Sequence, residues 1–327
     1  MPYDKLMLTK QAKTLGFQRD TLEKALRLVD ILKFFETDPL LSNRLALKGG
    51  TAINLVMFNL PRLSVDIDLD YAINNPKDQM ITEREQITSI LKKYMAMNGY
   101  VLSEKSKFTY ALDSFVFIYA NSAGMRDNIK VEINYSLRCH VLPFTRCRIT
   151  ALGSLGEVQV LSVAPLEIFA SKIVALLSRT AARDLYDINN ILSHQVFGEA
   201  EQEVIRKCVV FYLAISGNMN LEVLDIDRIY SLTTHKISTE LQPVLRKKEA
   251  FDLEAAQARV KAYLAELLVL TSDEQKFLDS FRNDVYCPES VFDGEILERI
   301  NSHPMARWRT RVEQESAFGT NGQRSII

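Results

Sequence analysis

The sequence contains only four cysteines in 327 residues, and none of them is spaced like a metal ligand. They lie far apart, so we expect ordinary thiols in a reducing compartment rather than a disulfide framework or a zinc site. The four are Cys139, Cys147, Cys208 and Cys287.

Signals for membranes and export are also missing. No apolar run approaches the ~20 residues of a membrane-spanning helix, and the N-terminus lacks a basic segment followed by an apolar one. We therefore expect a cytoplasmic protein without a membrane partner. The 40 basic residues nearly balance the 41 acidic ones, so net charge alone does not indicate nucleic-acid binding.

Two common enzyme signatures are absent as well. There is no Gly-x-Ser-x-Gly elbow and no Walker-type Gly-Lys-Ser/Thr, which argues against the corresponding hydrolases and NTPases. The four histidines stand in no motif that indicates a histidine-based mechanism.

The strongest feature that is present is a glycine turn, Gly49-Gly50-Thr51. Backbone amides beside glycine can approach a polyphosphate closely, because no Cβ blocks them. A Gly-Gly pair alone is more often an ordinary turn. Fourteen residues later, however, the sequence continues with paired carboxylates.

These carboxylates lie in Leu63–Tyr71, which alternates apolar and polar residues with the two-residue period of a strand. Asp66 and Asp68 should therefore project from one face, spaced to hold divalent metal ions. Asp-x-Asp is also common on solvated strand faces. The combination with the upstream turn favours nucleotidyl transfer.

A second alternating strand is predicted at Lys130–Tyr135. If it pairs with the first, Glu132 becomes a third carboxylate for metal ions. The alternative is a solvated glutamate that pairs with Lys130, and the sequence leaves both open.

A third group of charges combines Lys172 with nearby arginines and aspartates. It lies on one helix or on two helices separated near residues 180–182, and an ordinary surface ion-pair network is the alternative. Because Lys172 is flanked by apolar residues, we favour a role in gripping the phosphates of a nucleotide. The other members are Arg179, Arg183, Asp184 and Asp187.

Periodicity predicts an α+β fold: a mixed, largely antiparallel sheet with flanking helices in residues 1–162, followed by an all-helical half in 163–327. Three basic clusters are candidate RNA contacts, although such clusters are more often simply solvated. They are the residues from Arg126 to Arg148, Arg246-Lys247-Lys248, and Arg307 to Arg311.

Three segments together resemble the AbiEii/AbiGii nucleotidyltransferase toxins of the DNA polymerase β superfamily, which include the MenT enzymes. The resemblance spans most of the chain, although Thr51 replaces a more usual serine and the gap to Asp66 is slightly long. The segments are Leu47–Ala52 with Arg62–Leu69, Lys172 with Arg183–Ile188, and His303–Arg309.

The resemblance implies a polymerase-β-like N-terminal domain and a helical domain that contributes the Lys/Arg/Asp motif to a cleft. It also implies Mg²⁺ on Asp66 and Asp68, Lys172 on phosphate, and a catalytic Asp184 or Asp187. The residues implied to bind the nucleotide are Lys48, Gly49, Gly50, Thr51, Ser64, Arg179 and Arg183.

The activity implied is that of a toxin from a toxin–antitoxin or phage-defence system. It would transfer NMP from an NTP to the 3′ acceptor end of tRNA and block translation, and a separate antitoxin would restrain it. Two alternatives remain: the same chemistry on a small-molecule or protein acceptor, or a catalytically silent nucleotide-binding module.

Overall fold

The computed structural model describes residues 3–58, 61–149, 158–216 and 225–310, which form two compact units. The sheet unit holds the described parts of Met1–Arg138, Phe144–Val163 and Ser238–Phe251. The helical unit holds those of Cys139–Pro143, Ala164–Ile237 and Asp252–Ile327. Two short segments do not follow the single boundary predicted at 162/163. Residues 139–143 belong to the helical unit, and residues 238–251 belong to the sheet unit.

The described strands form one mixed sheet. They are β1 Leu45–Leu47, β2 Asp66–Tyr71, β3 Val101–Leu102, β4 Lys107–Phe108, β5 Leu112–Ala120, β6 Arg126–Asn134, β7 Thr145–Ile149 and β8 Val158–Ser162. Their order across the sheet is β3-β5-β6-β2-β1-β8-β7, with β4 also paired to β5. This confirms the predicted α+β class, with a mixed sheet and flanking helices.

Strand β2 lies inside this sheet, antiparallel to β1 on one edge and parallel to β6 on the other. Ile67 and Leu69 are buried on one of its faces, whereas Asp66 and Asp68 are half-buried on the opposite face. The alternation predicted from the sequence is therefore confirmed, and the pairing on both edges holds the two aspartates in place.

The helices of the sheet unit flank these strands. They are α1 Lys5–Leu15, α2 Arg19–Thr37, α3 Pro39–Arg44, α4 Gly49–Ala52 and α5 Lys77–Met97, with a 3₁₀ turn at Gln242–Val244. Helix α2 buries an apolar stripe that includes Leu22, Leu26 and Leu32. A π-helical turn, Ile53–Met57, extends the short helix α4, which starts at the glycine turn.

The segment Lys107–Ala120 is rich in β-branched and aromatic residues, which predict one strand, but the structure divides it into β4 and β5. The Thr109 N–H donates to the Leu112 carbonyl at 2.9 Å, which closes a turn, and Arg84 donates to the carbonyls of Thr109 and Tyr110. The carbonyls of Thr109 and Tyr110 therefore accept hydrogen bonds from a side chain, so they need no partner in a neighbouring strand. Strand β7 was not predicted from the sequence.

The helical unit settles the question of one helix or two around residue 180. Its helices are α6 Pro165–Arg179, α7 Ala182–Ser193, α8 Glu199–Ser216, α9 Thr234–Lys236, α10 Leu253–Leu267, α11 Ser272–Arg282 and α12 Gly294–Ile300, with shorter turns at Ile226–Ser231 and Pro288–Ser290 and a helical segment at 304–310. Thr180 adopts the left-handed conformation with φ of 48° and ends α6, so α7 is a separate helix. No described helix is long and apolar enough to cross a membrane.

A buried carboxylate fixes the first turn of α6. Glu167 is fully buried and accepts hydrogen bonds from the amides of Val141 at 2.7 Å and Leu142 at 2.9 Å, and from the Tyr212 hydroxyl at 2.5 Å. Burial raises its pKa, but the His140 charge and these hydrogen bonds outweigh burial and lower it below the ordinary 4.5. Glu167 thereby ties the segment 139–143 to the helix that carries Lys172.

We expect Glu167→Gln to destabilise the helical unit by about 1.5–3 kcal/mol, because an amide cannot accept all the hydrogen bonds that the carboxylate accepts. Since the folded-state pKa is depressed, the stabilisation is present above pH 4.5 and is lost as the pH falls through the folded pKa. Urea unfolding at pH 7 and pH 4 measures both effects. The difference in unfolding free energy between the wild type and Glu167→Gln contradicts this account if it is the same at pH 4 and pH 7, or if it is absent at pH 7.

Candidate active site

The glycine turn packs directly against the second aspartate of β2. Gly49 has φ of +66°, and a Cβ at this position would lie 2.7 Å from Asp68 Oδ2. Only glycine fits both the backbone conformation and the space. The Gly49 backbone and the Asp68 carboxylate are therefore neighbours.

Thr51 and Ser64 fasten this turn to the start of β2. The buried Thr51 hydroxyl donates to the backbone carbonyl of Asp66 and lies 2.6 Å from Ser64 Oγ. Because Thr51 has one hydroxyl proton, Ser64 is the donor in the second hydrogen bond. A serine at position 51 could make the same contacts. The predicted binding of nucleotide by these two side chains stays a prediction.

Lys48 and Gly50 are held by polar neighbours. Lys48 Nζ lies 2.6 Å from Oδ1 of the buried Asp70, in the adjacent strand. Asn54 donates to the Gly50 carbonyl at 2.8 Å and accepts from the Arg62 N–H at 3.3 Å. Sequence reasoning missed Asn54, and its one signal was that a polar residue follows Gly50 by four positions within the otherwise apolar segment from Ala52 to Phe58.

Glu132 lies opposite Asp68 in the register of β2 and β6, so the predicted strand pairing is confirmed. Its Oε2 atom is 2.8 Å from Lys130 Nζ, which is the ion pair that the sequence left open. Among the described residues, no group of three His, Cys, Asp or Glu side chains is arranged to hold a metal ion. Mg²⁺ often takes one or two carboxylates and completes its shell with phosphate and water, so Asp66 and Asp68 fit this ion without Glu132.

In the helical unit, Lys172 is 6% exposed and contacts two buried carboxylates. Its Nζ atom is 2.8 Å from Asp184 Oδ1 and 3.2 Å from Asp187 Oδ2. Both aspartates are 1% exposed, so both point inward. The surface-network alternative is wrong for these three residues, because their charges are buried.

Arg179 and Arg183 differ from this buried trio. The Arg179 side chain is 64% exposed, and its Nε lies 2.7 Å from Asp184 Oδ2. Burial raises the pKa of Asp184, but the charge of Lys172 and the hydrogen bond from Arg179 outweigh it and lower the pKa to about 2. Arg183 is half-buried and forms no ion pair with any described residue.

Comparison with known proteins identifies the family of this chain. A family model described as nucleotidyl transferase AbiEii toxin, type IV toxin–antitoxin system, matches residues 33–284, which is most of the chain. The chain belongs to the AbiEii nucleotidyltransferase toxin family. The resemblance noted in the sequence is thereby confirmed.

The fold of this AbiEii-family chain is similar to that of a solved structure. MenT4, a nucleotidyltransferase toxin from Mycobacterium tuberculosis H37Rv, superposes with a TM-score of 0.63 at 18% identity. The match covers 86% of this chain and 97% of that one. No curated protein matches the sequence.

Several basic residues that were candidate RNA contacts of the AbiEii chain donate to backbone carbonyls. Arg138 donates to Asn75, Arg246 to Leu15 and Arg309 to Ser216. His140 is buried beside Glu167. Arg311 lies outside the described residues. These hydrogen bonds give the three arginines a structural role that does not require an RNA partner.

Gly49→Ala should destabilise the AbiEii chain more than Gly99→Ala does. Both glycines have positive φ, so each substitution costs about 1–2 kcal/mol of backbone strain. Only at Gly49 would the new methyl group also collide with Asp68, since a Cβ at Gly99 would have no other atom within 4 Å. Chemical denaturation of both variants measures the difference. Equal losses would show that Asp68 does not press against the turn.

Lys172→Met should lower the free energy of unfolding by about 3–5 kcal/mol, because it removes a buried cation that contacts the buried carboxylates of both Asp184 and Asp187. The matched control is Arg179→Met, which should cost less than about 1 kcal/mol because that side chain is largely exposed. Thermal and urea unfolding of the two variants test this. A Lys172→Met protein as stable as the control would indicate that the lysine is not needed for folding.

Proposed function

We propose that this chain is a Mg²⁺-dependent toxin that transfers NMP from an NTP to an acceptor hydroxyl, with the 3′ end of tRNA as the acceptor. The observation that carries the proposal is the packing of the Asp68 carboxylate against the Gly49 backbone. Family membership supports the nucleotidyltransferase chemistry and an NTP substrate.

In this proposal, the amides of Gly49 and Gly50 bind the triphosphate, and Asp66 and Asp68 hold the metal ions. Bound Mg²⁺ would activate the attacking oxygen and neutralise charge on the phosphates. Strand β2 fixes the spacing of the two carboxylates, and Thr51 fixes the distance from the turn to the strand. The protein thus contributes mainly position and electrostatic field.

The acceptor hydroxyl forms a new bond to the α-phosphorus as the bond from that atom to the bridging oxygen of the β-phosphate breaks. Pyrophosphate leaves, and the hydroxyl proton is released. Lys172 has three ammonium donors, of which Asp184 and Asp187 take two. We propose that the third contacts phosphate, that these aspartates hold the ammonium in place, and that Arg183 supplies a further cation.

The choice of tRNA rests on the resemblance to the MenT-containing group and on the translation block that such transfer would cause. A small molecule or a protein hydroxyl would support the same chemistry. A type IV toxin family also implies an antitoxin partner. A role in phage defence would follow if infection released the toxin from that antitoxin.

A catalytically silent nucleotide-binding module is the rival of another class. Such a module would have no need for a half-buried Asp66 and Asp68 on one strand face, where like charges repel unless cations are bound. The proximity of Asp68 to the glycine turn argues in the same direction.

The deciding experiment incubates the purified chain with each labelled NTP and Mg²⁺ in the presence of total tRNA, a protein pool and a small-molecule pool. We expect label at the 3′ end of tRNA, located by mass spectrometry of nuclease fragments. Label confined to the protein or small-molecule fraction overturns the tRNA acceptor, and no label in any fraction overturns the activity.

Asp68→Asn should reduce the transfer by about 100-fold or more, because the ion stabilises the transition state by several kcal/mol. Glu132→Gln is the matched control on the adjacent strand and should retain most of the activity, since its carboxylate pairs with Lys130. A large loss in Glu132→Gln with normal unfolding would make Glu132 a third metal ligand. Growth arrest that persists in Asp68→Asn would favour the silent module.

A further inference from the structure

A cavity lies in the helical unit, and none of the candidate active-site residues line it. It has a volume of about 650 Å³ and is formed by α6, the end of α7, the start of α8 and the end of α10. Cavities of this size commonly bind small molecules, and this one is too large for a single side chain. Lys172, Asp184 and Asp187 do not line it.

Three aromatic rings form one wall of this pocket. The ring of Phe169 lies 5.5 Å from that of Phe197, with 25° between their planes, and 5.9 Å from that of Tyr263, with 34° between the planes. Phe169 is buried, whereas Phe197 and Tyr263 are half-buried. The Tyr263 hydroxyl is held by Gln202 at 2.8 Å. Phe169 thus supports the two accessible rings from behind, and Phe197 and Tyr263 are the aromatic surfaces that a planar ligand can reach.

The polar rim of the pocket is acidic. Glu199 and Glu266 are exposed there, whereas the Nε of Arg206 is bound to both oxygens of the buried Glu274 at 2.9 and 3.0 Å. The arginine charge is thus largely neutralised, and the rim repels anions. The Gln195 side-chain amide, also on the rim, has both a donor and an acceptor for the edge of a ring.

We propose that this pocket binds a flat, uncharged heteroaromatic compound of nucleoside size, and that it discriminates against the corresponding phosphates. The aromatic wall stacks on the ring system, the Gln195 amide reads its edge, and Glu199 with Glu266 disfavours a phosphate. The pocket is therefore a candidate ligand site that is separate from the proposed triphosphate site and has the opposite charge preference.

The test measures binding to the full chain without Mg²⁺ or NTP, by equilibrium dialysis and saturation-transfer NMR. The probes are adenosine, guanosine, cytidine, uridine, the 5′-monophosphate of each, and N-acetyl-tryptophanamide. We expect saturable binding of at least one nucleoside, and its 5′-monophosphate should bind about threefold more weakly or worse. Asp68→Asn should leave nucleoside binding unchanged, which separates this site from the catalytic one.

Phe197→Ala should weaken nucleoside binding about tenfold, because it removes an aromatic ring on which the base stacks. Tyr263→Phe keeps its ring and should retain the affinity. The double change Glu199→Gln and Glu266→Gln should reduce the difference in affinity between a nucleoside and its monophosphate. All three variants alter half-buried or exposed side chains, and a thermal unfolding curve checks that each is folded.

Four results would overturn the proposal. They are no saturable nucleoside binding, binding that Phe197→Ala leaves intact, a monophosphate affinity equal to or above that of the nucleoside that binds, and tighter binding of N-acetyl-tryptophanamide than of every nucleoside. Loss of nucleoside binding in Asp68→Asn would place the ligand at the triphosphate site instead. None of these results depends on whether the chain transfers nucleotides to tRNA.

Discussion

The candidate site depends on the pairing of strand β2 along both of its edges. Its hydrogen bonds to β1 and β6 fix which side chains face the core, and a slip by one residue would reverse every one of them. Asp66 and Asp68 are held on a common face for this reason. The left-handed backbone of Gly49 then allows the preceding turn to pack against Asp68 without a clash.

In the helical unit, the controlling constraint is the cost of burying charge. An ammonium and two carboxylates are nearly inaccessible there, and each would be strongly unfavourable alone. Lys172 lies within 3.2 Å of an oxygen of Asp184 and of Asp187, and Arg179 contacts Asp184 as well, so each carboxylate has a cation beside it. The same contacts that stabilise the fold therefore hold an ammonium in a defined position, which is what a phosphate-contacting cation needs.

Many side chains in the family motifs contact one another. Lys48 pairs with Asp70, and the hydroxyls of Thr51 and Ser64 bind each other and the backbone of Asp66. Their most direct effect is to fix the turn to the strand, so that a ligand meets a preorganised surface. Residues of one motif can thus act by holding one another in place.

The sequence by itself determined the features that depend on near neighbours: the alternation of β2, the glycine turn and the change from strands to helices. Only the tertiary structure decided that Asp184 and Asp187 both point inward and that Glu132 pairs with Lys130. It also revealed β7, the division of β4 from β5, and the pocket beside Phe169. The physical reason is that periodicity reports the face on which a residue lies, whereas its partners come from segments distant in sequence.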